Sequence, residues 1–478
     1  MKKYYYERSN LLESDVNINF DELLYMNKEE TSEWIEKLRS FIISEWDDKG
    51  IPPTIGSNTK DIKKNFMKLR EYDVHNKFLI SDDDGNKNVI KNYNKHASSI
   101  NQFFPTMLKT RVQNGSIYDW FTDDYKHKFE KVILRILKRD SMYNWSKCVL
   151  DGEEIPENFF IVQHKHNAVE SIYKTLSVEE VEKLDVKHKT NLPKELDGDT
   201  YKFLVRDFKL HQKLFPAGIQ AFRLGLGQPA VNFPPLTARY LYERFTDHIN
   251  IDELEPKQLN IYDPSSGWGG RILGAMSSLK RIHYIGTDPN TDNFIDEVGI
   301  SRYEYVANFF NNEVLESNPF WEEEKNTFHY FQEGSEHIGN HTEFQQYKGK
   351  LDMVFTSPPY FDREQYSDDE EQSFKAYPKY DDWRDNFLKP TLTNAYQSLR
   401  NDRYLLWNIA DIKIGKDKYH HLEQDSIDII ENLGGEYQGK LKMLMTSMVG
   451  VDQSNVKNSV KVNGTYLKYE PIFIFYKK

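Results

Sequence analysis

The sequence predicts an α/β protein that carries a mainly helical domain at its N-terminal end. Before about residue 210, apolar residues recur at helical spacing between polar loops. From Phe215-Pro216-Ala217-Gly218 onward, short apolar runs alternate with helical patterns, which is typical of a parallel sheet. Several of these runs end at acidic, proline or glycine residues, and strand ends are where α/β sheets bind ligands. The expected domains are therefore 1–215, mainly helical, and 216–478, α/β.

Composition limits the class of protein. The chain has 478 residues and a net charge of −12, and no apolar run is long enough for a membrane helix. The first residues lack the apolar core of a signal peptide. Cys148 is the only cysteine, which excludes an internal disulfide and a cysteine-based zinc site. We therefore expect a cytoplasmic protein with no membrane association.

Charge is unevenly distributed along the chain. The net charge of −12 argues against a protein that coats nucleic acid through its overall charge. Residues 51–150 nevertheless contain 18 Lys or Arg against 11 Asp or Glu, a surplus of seven positive charges. That surplus fits a local DNA-facing surface, and it equally fits an ordinary solvated face.

Three helices are predicted in the N-terminal part. Apolar spacing favours helices over Asp21–Trp46 and Asp61–Tyr72. A third, strongly basic helix is predicted over Tyr125–Arg139. Its apolar side consists of Phe129, Val132, Ile133, Ile136 and Leu137.

Two strand ends carry the pattern of a cofactor site. Leu259–Asp263 reads as the first strand of the sheet, and a glycine-rich turn and an apolar helix follow it. Glycines let the backbone turn tightly and approach a ligand closely. The turn lacks the spacing of a dinucleotide fingerprint and of a P-loop. His283–Thr287 reads as the second strand and ends at Asp288, where an acidic residue can bind ribose hydroxyls or simply form a turn.

A third stretch, Leu351–Phe361, carries the most specific pattern. Its apolar run predicts a buried strand that stops at Ser357-Pro358-Pro359-Tyr360. Two prolines cannot donate to a sheet ladder, so the chain leaves the sheet in a stiff, extended form. A hydroxyl, two carbonyls and an aromatic ring then lie beyond the strand end. Taken alone, the tetrapeptide also fits a rigid turn.

In this order, the strand-end features resemble those of S-adenosylmethionine-dependent DNA amino-methyltransferases, whose motif is Asp/Asn/Ser-Pro-Pro-Tyr/Phe after the fourth strand. The resemblance covers about Leu226 to Lys478. It implies a seven-stranded Rossmann-like methyltransferase sheet, mainly parallel, with the last strand antiparallel. It also implies S-adenosyl-L-methionine as cofactor, double-stranded DNA as partner, and direct methyl transfer without a metal.

The resemblance further implies roles for particular residues. The implied catalytic residues are those of the motif, Ser357, Pro358, Pro359 and Tyr360. Ser357 and the Pro358 carbonyl would accept hydrogen bonds from the target amine, and Tyr360 would stack on the flipped-out base. The cofactor-binding residues lie near the other strand ends: Asn232, Phe233, Asp263, Ser265, Gly267, Gly269, Asp288, Ser335 and Glu336. Among these, Asp263 would bind the methionine ammonium and Asp288 the ribose.

Serine at the first motif position favours cytosine N4 as the methylated atom, with adenine N6 as the alternative. The implied role is a site-specific enzyme of DNA methylation or restriction–modification. Three other functions stay open: an RNA or protein amine methyltransferase, a DNA-binding protein with an inactive methyltransferase core, and a nucleotide-dependent dehydrogenase. The Pro-Pro motif disfavours the dehydrogenase. The N-terminal domain and the segment near Lys457 are the expected DNA contacts.

Overall fold

The structure is a computed structural model, and it describes most of the chain. The described residues are 4, 11, 14–18, 22, 26–49, 53, 59–91, 98–112, 115–133, 215, 230–317, 325–361, 364–365, 372–415, 418–445 and 456–478, together with 159–164, 172–175 and 186–191; the backbone alone is described at 98–99, 159–164, 172–175, 186–191, 315, 317, 364–365 and 374. The chain divides into two compact units. We call Met1–Tyr5, Thr59–Gln113 and Ala230–Lys478 the sheet unit, and Tyr6–Asn58 with Asn114–Pro229 the second unit.

The helices are numbered here in chain order. They are α1 (Lys28–Lys49), α2 (Thr59–Glu71), α3 (Val74–Lys77), α4 (Ser98–Asn101), α5 (Pro235–Phe245), α6 (Gly270–Ser277), α7 (Arg302–Ser317), α8 (Ser373–Ala376), α9 (Tyr380–Trp383), α10 (Lys389–Ser398) and α11 (Leu422–Asn432). A π-helical turn, Arg384–Leu388, joins α9 to α10.

The strands are numbered in the same way. They are β1 (Leu79–Ile80), β2 (Val89–Ile90), β3 (Arg111–Val112), β4 (Phe159–His164), β5 (Ile172–Thr175), β6 (Val186–Asn191), β7 (Leu259–Asp263), β8 (Ile282–Thr287), β9 (Phe294–Ile295), β10 (Ile300–Ser301), β11 (Thr327–Phe331), β12 (Leu351–Thr356), β13 (Glu364–Gln365), β14 (Leu399–Asn408), β15 (Ile412–Lys413), β16 (Tyr419–His420), β17 (Glu436–Leu444), β18 (Ser459–Val462) and β19 (Thr465–Lys477).

One large sheet organises the sheet unit. Its strand order is β1-β2-β17-β19-β14-β12-β7-β8-β11, and β18 pairs with β19. Strands β11, β8, β7, β12 and β14 are parallel to their neighbours within that group. The final strand, β19, is antiparallel to both β14 and β17. The sequence also predicts a mainly parallel sheet whose last strand is antiparallel.

The central strands form where the sequence has continuous apolar runs. Every residue of β7 and of β12 is buried. Parallel strands are covered on both faces, so such runs do not alternate between apolar and polar residues. The predicted first strand, Leu259–Asp263, coincides with β7, and the predicted second strand, His283–Thr287, lacks only the first residue of β8.

The sheet is larger than the predicted seven strands. Among the described residues it has ten, because β1, β2 and β18 extend the expected set. Strands β1 and β2 form a hairpin, and Val89 and Ile90 pair in parallel with Lys442 and Met443 of β17. The hairpin covers an edge that would otherwise expose unpaired backbone groups.

The division into units differs from the predicted boundary at residue 215. Residues 59–113 belong with the α/β sheet and not with the rest of the N-terminal part. One reason is Arg239 of α5, which is buried and donates to the carbonyls of Leu69 (2.5 Å) and Arg70 (2.8 Å) at the end of α2. Those carbonyls have no partner within the helix, and the guanidinium satisfies them.

The second unit combines helices with a small sheet. Arg39 of α1 donates to the Phe121 carbonyl at 2.6 Å and pairs with Asp123. Residues 126–133 are helical, as predicted for the start of the basic helix. Its predicted apolar residues Phe129, Val132 and Ile133 are buried, whereas 134–139 lie outside the described residues. The backbones of β5, β4 and β6 form an antiparallel sheet in that order.

A pair of histidines on β8 and β11 makes stability depend on pH. His283 bonds Thr327 at 2.8 Å and the Tyr347 hydroxyl at 2.9 Å, and His329 bonds that same hydroxyl at 2.8 Å. Burial, and to a lesser extent the neighbouring His329, lowers the pKa of His283 from 6.5 to about 4. The folded protein therefore binds a proton at His283 less readily than the unfolded chain does.

We expect the free energy of unfolding to fall as pH drops from about 6.5 to 4, by at most about 3 kcal/mol from this group. Above pH 6.5 the contribution is complete, because His283 is neutral in both states. Urea denaturation across this range should show the loss, and His283→Gln should reduce it. The exposed His127→Gln serves as the control. An identical pH profile for His283→Gln and wild type would contradict the assignment.

Candidate functional site

The candidate site lies where β7 and β12 end side by side. The two strands are parallel, with Ile261 opposite Met353 and Tyr262 opposite Val354. From β7 the sheet grows through β8 to β11 on one side and through β12 to β14 on the other. A reversal of this kind opens a crevice at the carboxyl ends of the strands, which is the usual ligand site of such sheets. The predicted cofactor loop and the predicted catalytic motif both begin at this edge.

Asp263 joins the two halves of the site. Its carboxylate accepts hydrogen bonds from the Thr356 hydroxyl (2.6 Å), the Tyr284 hydroxyl (2.6 Å), Arg271 Nε (2.7 Å) and the Ser265 amide (3.2 Å). The side chain is completely buried. Burial raises the pKa of the Tyr284 hydroxyl well above its usual value, which keeps the hydroxyl protonated as a donor. In this structure the acceptor positions of Asp263 are thus used within the protein.

The glycine-rich loop needs glycine at particular positions. Gly267 and Gly269 have φ angles of 59° and 76°, a region that other residues enter only with strain. A Cβ atom at Gly270 would lie 2.1 Å from the Phe233 carbonyl oxygen. The start of α6 therefore packs directly against the segment before α5, which the sequence also assigned to the cofactor site.

Asn232 and Phe233 hold this contact from the other side. The Asn232 amide donates to the Trp268 carbonyl at 2.6 Å and accepts from the Gly270 amide at 3.2 Å. The Phe233 ring is buried, 5.6 Å from the Arg271 guanidinium. Both residues thus support the glycine loop. Asn232 caps α6, because it accepts from the Gly270 amide, which has no partner within the helix.

Asp288 also contacts the loop. Its two carboxylate oxygens accept from the Gly267 amide at 2.8 Å and from the Asn290 amide at 3.0 Å. The residue is partly exposed. Burial raises the pKa of Asp288 to about 6, against the two backbone donors, which favour the ionised form. Asp288 therefore contacts the glycine loop and is also partly accessible to solvent.

The two predicted residues after β11 have different surroundings. Ser335 is buried, and its hydroxyl bonds that of Thr391 in α10 at 3.0 Å. The Glu336 side chain is almost completely buried, and its Oε2 has no hydrogen-bond partner among the described residues. Burial raises the pKa of Glu336. The Ser335 hydroxyl is therefore bonded to α10, whereas Glu336 retains an acceptor atom.

The motif leaves the end of β12 as a partly exposed stretch. Ser357, Pro359 and Tyr360 are partly exposed, and Pro358 is buried. The next residue, Phe361, is buried in an aromatic cluster that sequence reasoning missed. Its members are Phe361, Tyr380, Trp383 and His420, with ring centroids 5.3–5.9 Å from Phe361. The signal was the run of aromatic residues at Tyr377, Tyr380 and Trp383.

Sequence reasoning also missed Asn408 at the end of β14. Trp407 lies opposite Thr356, so Asn408 follows directly beside the start of the motif. Asn408 is completely buried, and its Nδ2 donates to the Pro471 carbonyl at 2.9 Å. Its Oδ1 has no hydrogen-bond partner among the described residues. The signal was a polar residue that ends the apolar run Leu405-Leu406-Trp407.

Lys457, the predicted second DNA contact, has local partners. Its ammonium pairs with Asp411 and lies 5.1 Å from the centre of the Tyr419 ring. The adjacent Asn458 donates to Glu423 at 2.8 Å. A DNA contact by Lys457 stays a prediction, and it would share the ammonium with Asp411. Part of the predicted segment near Lys457, residues 446–455, lies outside the described residues.

Two searches of the described residues gave negative findings. No group of three or more His, Cys, Asp or Glu in that part of the chain is arranged to hold a metal ion. No helix within the described ranges is long and apolar enough to cross a membrane.

Comparisons with known proteins identify structural neighbours but no sequence relatives. No family model matches the chain, and no curated protein matches it. TrmN from Thermus thermophilus is 13% identical over 51% of this chain and 49% of its own, with a TM-score of 0.27. The chain thus spans about half the length of TrmN.

Two other solved structures are similar to parts of the chain. A candidate class I S-adenosylmethionine-dependent methyltransferase from Listeria monocytogenes is 13% identical over 59% of this chain and 75% of its own, with a TM-score of 0.31. A candidate DNA modification methylase, also from Thermus thermophilus and solved with S-adenosyl-L-methionine, is 14% identical over 30% and 52%, with a TM-score of 0.21. The fold assignment above rests on the order and directions of the strands.

Proposed function

We propose that the protein is an S-adenosyl-L-methionine-dependent methyltransferase that modifies the exocyclic amine of a base in double-stranded DNA, with cytosine N4 favoured over adenine N6. The observation that carries the proposal is the junction of β7 and β12. There the Asp263–Thr356 hydrogen bond holds the glycine loop and the Ser357-Pro358-Pro359-Tyr360 motif at one edge of the sheet.

The residues around the glycine loop fit the proposed cofactor. Left-handed backbone at Gly267 and Gly269 lets a ligand approach the loop, and the ionised Asp288 can accept hydrogen bonds from ribose hydroxyls. Asp263 supports the loop from within the protein, where its carboxylate already accepts four hydrogen bonds. Direct binding of the methionine ammonium by Asp263 would require exchange of one of those partners. Glu336 Oε2 remains a candidate acceptor for the adenine amine.

The motif residues explain how an unreactive amine could be activated. Bound S-adenosyl-L-methionine supplies a methyl group that its sulfonium already activates. The base amine is a weak nucleophile, because its lone pair is delocalised into the ring. The Ser357 hydroxyl and the Pro358 carbonyl can each accept a hydrogen bond from the amine. These hydrogen bonds would orient the lone pair toward the methyl group. Tyr360 offers a partly exposed ring on which a flipped-out base can stack.

The positive surplus suggests which part of the chain meets DNA. Of the seven surplus charges in residues 51–150, five come from 59–113, where 11 Lys or Arg face 6 Asp or Glu. These residues belong to the sheet unit. We therefore assign nonspecific phosphate contacts mainly to 59–113, and we propose that target recognition uses the N-terminal part as a whole, residues 1–215. Binding through phosphates should weaken steeply as salt concentration rises.

A methylation assay tests the proposed function. Purified full-length protein is incubated with S-adenosyl-L-methionine and with duplex DNA, RNA or protein substrates, and the products are digested for mass spectrometry. We expect N4-methylcytosine in the duplex DNA. N6-methyladenine alone would overturn the base assignment, and methylation of RNA or protein alone would overturn the substrate. Failure to bind the cofactor would favour the DNA-binding protein with an inactive core.

Asp288→Ala should weaken cofactor binding by about 1.5–3 kcal/mol, the typical contribution of hydrogen bonds to a charged group. Isothermal titration calorimetry measures this change. In the wild type, affinity should also decline as pH falls below about 6, because the protonated carboxyl accepts less well. Asp252→Ala is the control, since Asp252 is exposed and pairs with Arg281 at 3.0 Å. Unchanged affinity in Asp288→Ala would remove Asp288 from the site.

A further inference from the structure

Residues 98–112 contact the candidate site, although they lie far outside the part of the sequence that carries the motifs. We call them the bridging segment. The Asn101 Oδ1 accepts from Asn232 Nδ2 at 3.2 Å. That same Asn232 amide group donates to the Trp268 carbonyl, inside the glycine loop. Asn101 thus fixes the side chain that caps α6.

The bridging segment also packs on the glycine loop directly. A Cβ atom at Gly269 would lie 2.5 Å from the Phe104 ring, so the ring covers the loop at van der Waals distance. Phe104 is completely buried, and its ring centre is 5.3 Å from that of Tyr303. The Tyr303 hydroxyl donates to the Gly267 carbonyl. Phe104 and Tyr303 therefore both contact the loop.

A third contact connects the segment to the loop after β8. Thr106 donates to Asn293 Oδ1 at 3.2 Å, and Asn293 Nδ2 donates to the Tyr303 hydroxyl at 3.1 Å. The Phe103 carbonyl accepts from Arg302 at 3.0 Å, which anchors the segment to α7. The segment is thus fixed both to the glycine loop and to the element that carries Asp288.

The other end of the segment reaches the chain beyond the motif. Strand β3 pairs antiparallel with β13, with Val112 opposite Glu364 and Arg111 opposite Gln365. Strand β13 begins four residues after Tyr360. One segment of 15 residues therefore contacts both the cofactor loop and the continuation of the catalytic motif.

We propose that the bridging segment is a positioning element of the active site, in which Asn101 and Phe104 hold the glycine loop for the cofactor and β3 holds the chain after the motif for the target base. The inference rests on the proposed function and deepens it. The physical basis is preorganisation, because a loop held in its binding conformation needs no ordering when the ligand arrives. The segment should therefore affect cofactor affinity through one end and the rate of transfer through the other.

Asn101→Ala tests the cofactor end. The dissociation constant for S-adenosyl-L-methionine should rise about threefold to tenfold, the effect of one lost neutral hydrogen bond. At saturating cofactor, kcat should stay unchanged. Asn101→Asp keeps an oxygen that can accept from Asn232, and it should restore most of the affinity. Thr393→Val is the control, because it removes a hydrogen bond from a threonine hydroxyl to the Lys389 carbonyl within α10, outside the bridging segment.

Val112→Pro tests the other end, because proline removes an amide hydrogen and restrains the backbone of β3. We expect kcat for DNA methylation to fall about tenfold or more, while cofactor affinity stays within about twofold of wild type. Val112→Ala keeps the backbone pairing of β3, so its kcat should lie much closer to that of the wild type than the kcat of Val112→Pro does. Unchanged cofactor affinity in Asn101→Ala, or unchanged kcat in Val112→Pro, would overturn this inference and leave the proposed function intact. Absence of cofactor binding by the wild type would instead contradict the proposed function.

Discussion

Asp263→Ala is expected to lower the free energy of unfolding by about 3–5 kcal/mol, which is the usual consequence of removing one partner from a buried ion pair. The substitution leaves the Arg271 guanidinium buried without its carboxylate. It also removes the acceptor of the Thr356 and Tyr284 hydroxyls. Each of these buried donors would then lack a hydrogen-bond partner, which destabilises the folded state.

Chemical denaturation of the two proteins measures this effect. Asp247→Ala is a matched control, because Asp247 pairs with Lys280 at 2.9 Å with almost half of its side chain exposed. Exposed pairs contribute about 1 kcal/mol or less. Asp263→Asn should fall between wild type and Asp263→Ala, since the amide keeps one acceptor oxygen. A loss below about 1 kcal/mol in Asp263→Ala would show that the hydrogen-bonded network does not hold the two strand ends together.

Ser357→Ala is expected to lower kcat about a hundredfold, the typical cost of removing one preorganised hydrogen bond from a transition state. The hydroxyl acts on the target base, so cofactor affinity should change little. Single-turnover methylation with saturating cofactor measures the chemical step, and calorimetry measures binding. The partly exposed position of Ser357 at the end of β12 makes a folding defect an unexpected result.

Ser277→Ala is the control for Ser357, because Ser277 is buried and its hydroxyl donates to the Gly274 carbonyl within α6. It should leave kcat unchanged. If Ser357→Ala methylates DNA at the wild-type rate, the motif serine is not an acceptor for the amine. If instead both binding and transfer fail together, Ser357 acts through the structure of the loop.

The sequence alone predicted the central part of the fold and the order of the site. Leu259–Asp263 and Leu351–Thr356 were readable as strands because strands buried on both faces need continuous apolar runs. The glycine loop was readable because positive φ angles at Gly267 and Gly269 require glycine. These are local requirements, and each leaves its mark within a few residues.

Only the tertiary structure decided how these parts meet. Thr356 and Asp263 are 93 residues apart in sequence, and Phe104 covers Gly269 from a segment that shows no motif. The two-residue strands β1, β2, β3 and β13 are too short to show any periodicity. Ser335 was assigned to the cofactor site from the sequence. In the structure its hydroxyl bonds that of Thr391, which lies more than 50 residues later in the chain. The physical reason is that such contacts depend on the distance between side chains after the sheet has formed, and no local pattern of residues encodes that distance.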